Sequence, residues 1–198
     1  MSTVSQAPRA RGSRREELLR AGARLFADRG FHGTSIEDVG AAVGISGPAV
    51  YKHFPSKDAL LAAMLVGISE RLLEGGRAEV GRASGDADAL RRLIAFHTDF
   101  ALGDPDLIRV QDRDLANLSE GERRRVRRLQ RDYVETWVGV LTRLDPGLEP
   151  AAARIQAHAV FGLLNSTPYS GRQPGPARDV LESMARQALT ANSARATN

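Results

Sequence analysis

The chain of 198 residues contains no cysteine, which excludes disulfides, thiolate metal sites and cysteine nucleophiles together. It also lacks any run of about 18 apolar residues that could span a bilayer. The opening residues MSTVSQAPRARGSRREE carry no apolar stretch of the secretory type. A cytoplasmic protein without membrane contact is the expectation. Aromatic residues are scarce at 5 %, yet 42 % apolar residues are enough for a real core. No alternating strand pattern, internal repeat, Gly-rich phosphate loop, G-x-S-x-G or H-E-x-x-H is present, and the serine in VGISG falls at a helix cap in the wrong frame. No catalytic residue, metal or cofactor is expected, and the chain does not read as an enzyme. Asp104, Asp106, Asp112 and Asp114 could suggest a metal site. Asp104 before Pro105 is more simply a helix start, and the other three read as solvent-facing.

Lysine is the next scarcity. The chain has two, Lys52 and Lys57, and both lie in VGISGPAVYKHFPSKDAL, beside Tyr51, His53 and two prolines. Charge is placed unevenly as well. Residues 1–57 hold nine basic and five acidic side chains, whereas the remainder holds 19 of each. All of the excess positive charge therefore lies at the N-terminal end, the footprint of a segment that meets a polyanion.

What is present is helical periodicity. Residues 1–12 show none and read as a disordered basic tail, with 193–198 a second tail. From Ser13, Leu18, Leu19, Ala21, Ala23, Leu25 and Phe26 mark a helix ended by Gly30. Ser35 stands three before Asp38 and opens a second helix that turns Ile36, Val39 and Val43 inward. Gly44 ends it. Ser46 is placed to cap a short third helix with Pro48 in its first turn, and Pro55 stops that helix at Phe54. Two short helices joined by a turn with Gly44 make a helix-turn-helix. Beyond Ser56 the pattern stays helical. It frays over EGGRAEVGRASGDAD, loops over NSTPYSGRQPGPARD, and closes from Val180 to Leu189.

The expected architecture is thus all-α, with about nine helices. A three-helix helix-turn-helix domain spans 13–57, and a helical ligand-binding and dimerisation domain spans 58–192. A helix that enters the major groove needs a small leading end and donors behind it. Ser46, Gly47, Pro48 and Ala49 supply the first, and Tyr51, Lys52 and His53 the second. Thr34 and Ser35 at one helix start and Lys57 at another are placed to hold phosphates. Arg14 and Arg15 could form an arm or simply be solvated. His32 reads as a loop residue. The run EGERRRVRRLQR reads as a solvated face behind Val126, Leu129 and Tyr133. His97 sits on an apolar stripe, where a histidine is more often core than ligand contact. With Tyr133, Trp137 and Asn165 it is nonetheless a candidate fixing point for a small molecule. Gly162 implies either tight packing or a dimer seam.

The run LFADRGFHGTSIEDVGAAVGISGPAVYKHFPSKDALL resembles the N-terminal DNA-binding domain of the TetR/AcrR family of bacterial transcriptional regulators. The features that match are LFADRGF, Thr34, IEDVG, GIS, VYKHF, Lys57 and Leu60. Gly40 and Val43 depart from the alanines usual there. The resemblance implies a homodimeric repressor on double-stranded DNA, paired through its last two helices and bound to a palindromic operator of its own or a neighbouring gene. It also implies a small-molecule inducer that moves the fourth helix. LLNSTPYS and the arginine-rich composition resemble actinobacterial members, some of which sense acyl-CoA thioesters; an apolar metabolite is the alternative inducer. The alternative to the whole reading is a helical module that binds protein and not DNA.

Overall fold

The computed structural model describes residues 13–169 and 174–190. Among them are nine α-helices and no strand: α1 Arg14–Arg29, α2 Ile36–Ala42, α3 Gly47–Tyr51, α4 Lys57–Gly81, α5 Asp86–Gly103, α6 Pro105–Asp114, α7 Glu120–Leu144, α8 Pro150–Leu164 and α9 Pro174–Thr190. The two tails read as disordered lie outside these residues.

Local chemistry sets the breaks. Ser13 and Glu16 form a reciprocal capping box at the start of α1, and Ser35 and Asp38 form another at α2. Ser56 caps α4 by accepting the Ala59 N–H at 3.0 Å. Gly30 and Gly44 end α1 and α2 at φ 81° and 74°, a region that costs glycine little. Ser46 differs from its expected role. It precedes α3, but its side chain makes no capping bond.

Two cores follow. The first joins Leu18, Phe26, Val39, Val50, Phe54, Leu60 and Leu61 of the N-terminal helices to Val110, Leu118 and Val126 from beyond α5. Burying side chains of this size stabilises by about 1.5–3 kcal/mol each. Val110 and Val126 are fully buried there, so the helix-turn-helix unit completes its core with residues of α6 and α7. The second core lies among α5, α7, α8 and α9, around Leu93, Trp137, Val140, Val160 and Leu164.

Two stretches read as irregular are helical in part, the break between α4 and α5 narrowing to residues 82–85. The expected fraying over Glu74–Gly81 does not occur, because α4 continues to Gly81. Gly75 and Gly76 are contact points and not breaks. A Cβ on Gly75 would collide with the Phe96 ring, and one on Gly76 would stand 2.5 Å from Tyr133. Helix α9 likewise starts at Pro174, six residues before Val180, with a proline in the first turn where a missing N–H costs little. The turn before it is fastened by Thr167 donating to the Ala101 carbonyl at 2.6 Å and Arg109 donating to that of Pro168 at 2.6 Å.

Candidate nucleic-acid interface

Helices α2 and α3 cross closely because Gly40 has no side chain. A Cβ there would lie 2.7 Å from the Ile45 carbonyl oxygen and 2.9 Å from Val50 Cγ2. The departure from alanine at Gly40 therefore sets the crossing, at some cost in helix propensity. Val50 and Phe54, four apart, point into the core. The opposite side presents Ser46, Pro48, Tyr51, Lys52 and His53 to solvent, and Tyr51 is 48 % exposed despite its size. Gly47 turns the other way and is buried against the Glu37 side chain.

Two expected phosphate contacts are corrected. Thr34 is buried, and its hydroxyl donates to the carbonyls of Leu25 at 3.2 Å and Gly30 at 3.0 Å. It fixes the α1–α2 connection and has no face toward a ligand. Lys57 is no free point charge either. Its ammonium donates to the Phe31 and Thr34 carbonyls at 2.8 Å each and sits 4.5 Å from the centre of the Phe31 ring. Ser35 remains exposed while accepting the Asp38 N–H at 3.0 Å. The Ser35 backbone N–H donates to the Asp38 carboxylate at 2.9 Å and the Ser35 hydroxyl donates to it at 2.8 Å, which together hold the Asp38 pKa below the usual carboxylate range. Arg14 and Arg15 form no arm. Arg14 donates to the Val43 carbonyl at 3.2 Å, and Arg15 lies 4.9 Å over the Phe54 ring.

Sequence reasoning missed the link between this unit and the bundle. Arg113 of α6 donates to the Phe26 carbonyl and, at 3.4 Å, to that of Ala27, both in the last turns of α1. The same guanidinium pairs with Asp114 at 3.1 Å. Asp114 is buried, contrary to its reading as a solvated acid. His32 Nε2 lies 3.1 Å from Asn117 Oδ1, so this loop residue is also tied to the far side. No periodicity marks Arg113 or Asn117, because their partners are carbonyls and a loop ring distant in sequence.

The four candidate pocket residues do come together. His97 is buried, with Nδ1 3.1 Å from the Tyr133 hydroxyl and Nε2 3.1 Å from Asn165 Oδ1. An amide oxygen only accepts, so Nε2 carries the proton and the Tyr133 hydroxyl donates to Nδ1. Burial lowers the His97 pKa to about 4, keeping the ring neutral, and burial likewise raises that of Tyr133. Trp137 packs edge-on at 6.1 Å from the His97 ring. Phe161 was missed and stacks on His97 at 4.8 Å. Its position one helical turn before Asn165 was the available signal.

A short helix with exposed donors, crossed on a second helix and seated on a helical bundle, is the architecture of a one-component DNA-binding regulator. Residues 18–64 match the model for bacterial regulatory proteins of the tetR family, and residues 84–191 match the tetracyclin repressor-like C-terminal domain. The chain belongs to the TetR family of bacterial transcriptional regulators, whose members are regulators and not enzymes. It is 33 % identical over 130 residues to the regulator CymR of Pseudomonas putida, a match covering 63 % of this chain and 64 % of CymR. It is 26 % identical over 162 residues to the repressor KstR2 of Rhodococcus jostii strain RHA1, covering 80 % and 78 %. AibR, solved in complex with isovaleryl coenzyme A and operator DNA, shares the fold at a TM-score of 0.72 and 20 % identity, over 87 % of this chain and 97 % of AibR. No helix among the described residues is long and apolar enough to cross a membrane.

Proposed function

We propose that this chain is a cytoplasmic, homodimeric repressor that holds a palindromic operator of its own or a neighbouring gene and is released by a small molecule. The observation that carries the reading is the row Ser46, Pro48, Tyr51, Lys52 and His53, exposed together on one side of α3 and the turn after it. Lys52 and His53 bond phosphates, the small leading end of α3 enters the groove, and Ser35 adds a contact at the start of α2. Residues 13–57 form the reading unit and 58–192 the regulatory unit, the last two of which lie outside the described residues. Thr34, Gly47 and Lys57 support the surface from behind.

Pairing through α8 and α9 is supported by apolar side chains left in solvent. Ile155 is 71 %, Val180 53 % and Met184 49 % exposed. Gly162 continues the α8 stripe two turns after Ile155, and a Cβ there would meet nothing within 4 Å. Tight packing inside one chain therefore does not account for this glycine, which favours its reading as part of a seam. Two α3 helices held about 34–36 Å apart would read two half-sites one turn apart.

The inducer is an acyl-CoA thioester or another largely apolar metabolite, with His97, Tyr133, Trp137 and Asn165 as its polar and aromatic fixing points. AibR, with its bound acyl-CoA and DNA, supports that class. Footprinting on the DNA upstream of the gene tests the proposal: two protected half-sites about one helical turn apart support it, and one isolated half-site or uniform protection refutes it.

A further inference from the structure

A cleft of about 540 Å³ lies where the reading unit meets the bundle, between α1, α4 and the link from α5 to α6. Neither the exposed row on α3 nor the His97 cluster lines it. Its floor is apolar, built from Leu19 and Ala23 of α1, Met64 and Ile68 of α4 and Leu107 of α6. Its rim is charged. Arg20 and Arg24 stand one turn apart on α1, exposed and without an ion-pair partner among the described residues. Arg71 of α4 closes a third side and pairs with Asp104. Of the acids at the rim, Asp104 is thus engaged, and Glu16 accepts the Ser13 backbone N–H at 3.1 Å. Glu16, whose charge a backbone N–H does not cancel, and Asp106 face Arg20 and Arg24.

We propose that this cleft binds an amphiphilic anion, its apolar body on the floor and its carboxylate between Arg20 and Arg24. The volume falls within the range of about 300–1,000 Å³ usual for sites that take small ligands. Two guanidiniums one turn apart match the two oxygens of a carboxylate, while Leu19, Ala23, Met64, Ile68 and Leu107 match a hydrocarbon chain. The site rests on the reading of the chain as an effector-responsive regulator and deepens it, because the cleft spans both units. Asp104 immediately precedes α6, whose other end carries the Arg113 contact to α1. A ligand seated across this junction shifts the seat of α1 by whatever difference in affinity it has for the two arrangements.

Gly67 makes the test clean. It lines the cleft on α4, and a Cβ added there meets nothing within 4 Å. Gly67→Leu therefore fills the cleft while improving helix propensity. Sodium dodecanoate, below its micellar concentration, is titrated calorimetrically into the full chain and into two variants, Gly67→Leu and the double variant Arg20→Ala/Arg24→Ala. Dodecanol serves as the neutral control. The expected result is one saturable site per chain, weakened about tenfold or more in each variant and for dodecanol, as loss of a charge-assisted pair or of the space itself requires. Equal binding by all three proteins places dodecanoate elsewhere and overturns the proposal, as does an absence of binding by the parent chain. DNA binding is measured separately on the same preparations without dodecanoate. A parent chain that binds dodecanoate as expected but no DNA keeps the site and refutes the regulator, and the reverse keeps the regulator and refutes the site.

Discussion

The Lys57 ammonium donates a hydrogen bond to the backbone carbonyl of Thr34 at 2.8 Å, pinning the start of α4 to the start of α2. With its matching bond to Phe31, it makes one of the chain's two lysines a brace for the reading unit, while Lys52 stays in solvent. The two lysines are thereby separable by experiment.

Lys57→Met should remove both bonds from partly buried carbonyls and cost about 1–3 kcal/mol. At this size of protein that lowers the melting temperature by several degrees. Lys52→Ala should leave the melting temperature within about 1 °C and instead weaken binding to all DNA sequences alike, reducing the slope of log K against log salt by about one. Thermal melts and a salt series on both variants check the division. A lower melting temperature in Lys52→Ala with an unchanged salt slope would reverse it.

Stability should fall as the solution is acidified below about pH 6.5. His97 has a folded pKa of about 4 against 6.5 for the free side chain, so the unfolded chain takes up its proton first. The contribution of neutral His97 is present in full above pH 6.5 and is lost progressively down to about pH 4, amounting to about 3 kcal/mol. Urea titrations at pH 7.5, 6 and 5 should show this decline, and His97→Phe, set among Tyr133, Trp137 and Phe161, should flatten it. An identical pH dependence in that variant would assign the loss to other groups.

Two glycines of α4 should respond to alanine with opposite sign. Gly76→Ala drives a methyl to 2.5 Å from the Tyr133 ring and should destabilise by about 1–3 kcal/mol. Gly67→Ala meets no neighbour and should stabilise by up to about 1 kcal/mol through helix propensity. Denaturant midpoints for the pair decide it.

Ile155→Asp together with Met184→Asp should leave each chain folded, since both positions face solvent, yet shift it to the monomer in sedimentation runs. Operator affinity should fall by at least about 10² with the loss of the second half-site. A variant that remains dimeric would move the seam away from α8 and α9.

Much of the fold was legible because it rests on local chemistry. Ser35 with Asp38, Ser56, Gly30, Gly44 and Pro55 mark their breaks in the sequence itself, and the inward stripes of α1, α5 and α7 follow from spacing. What stayed hidden depends on partners far away in the chain. Gly75 and Gly76 read as a break because only the rings of Phe96 and Tyr133 explain them. Thr34 and Lys57 read as phosphate ligands because their residue types suit phosphate, whereas three-dimensional neighbours supplied backbone carbonyls instead. His97, Tyr133, Trp137 and Asn165 were found from their positions on apolar faces. Arg113, whose partners are the carbonyls of Phe26 and Ala27, carried no such mark.

The most direct test of the central claim is the fluorescence anisotropy of labelled upstream DNA titrated with the purified chain at two salt concentrations, with unrelated DNA as competitor. A sequence-specific regulator predicts saturable binding that weakens steeply with salt and survives the competitor. Equal displacement by unrelated DNA, or no binding at either salt concentration, would contradict it.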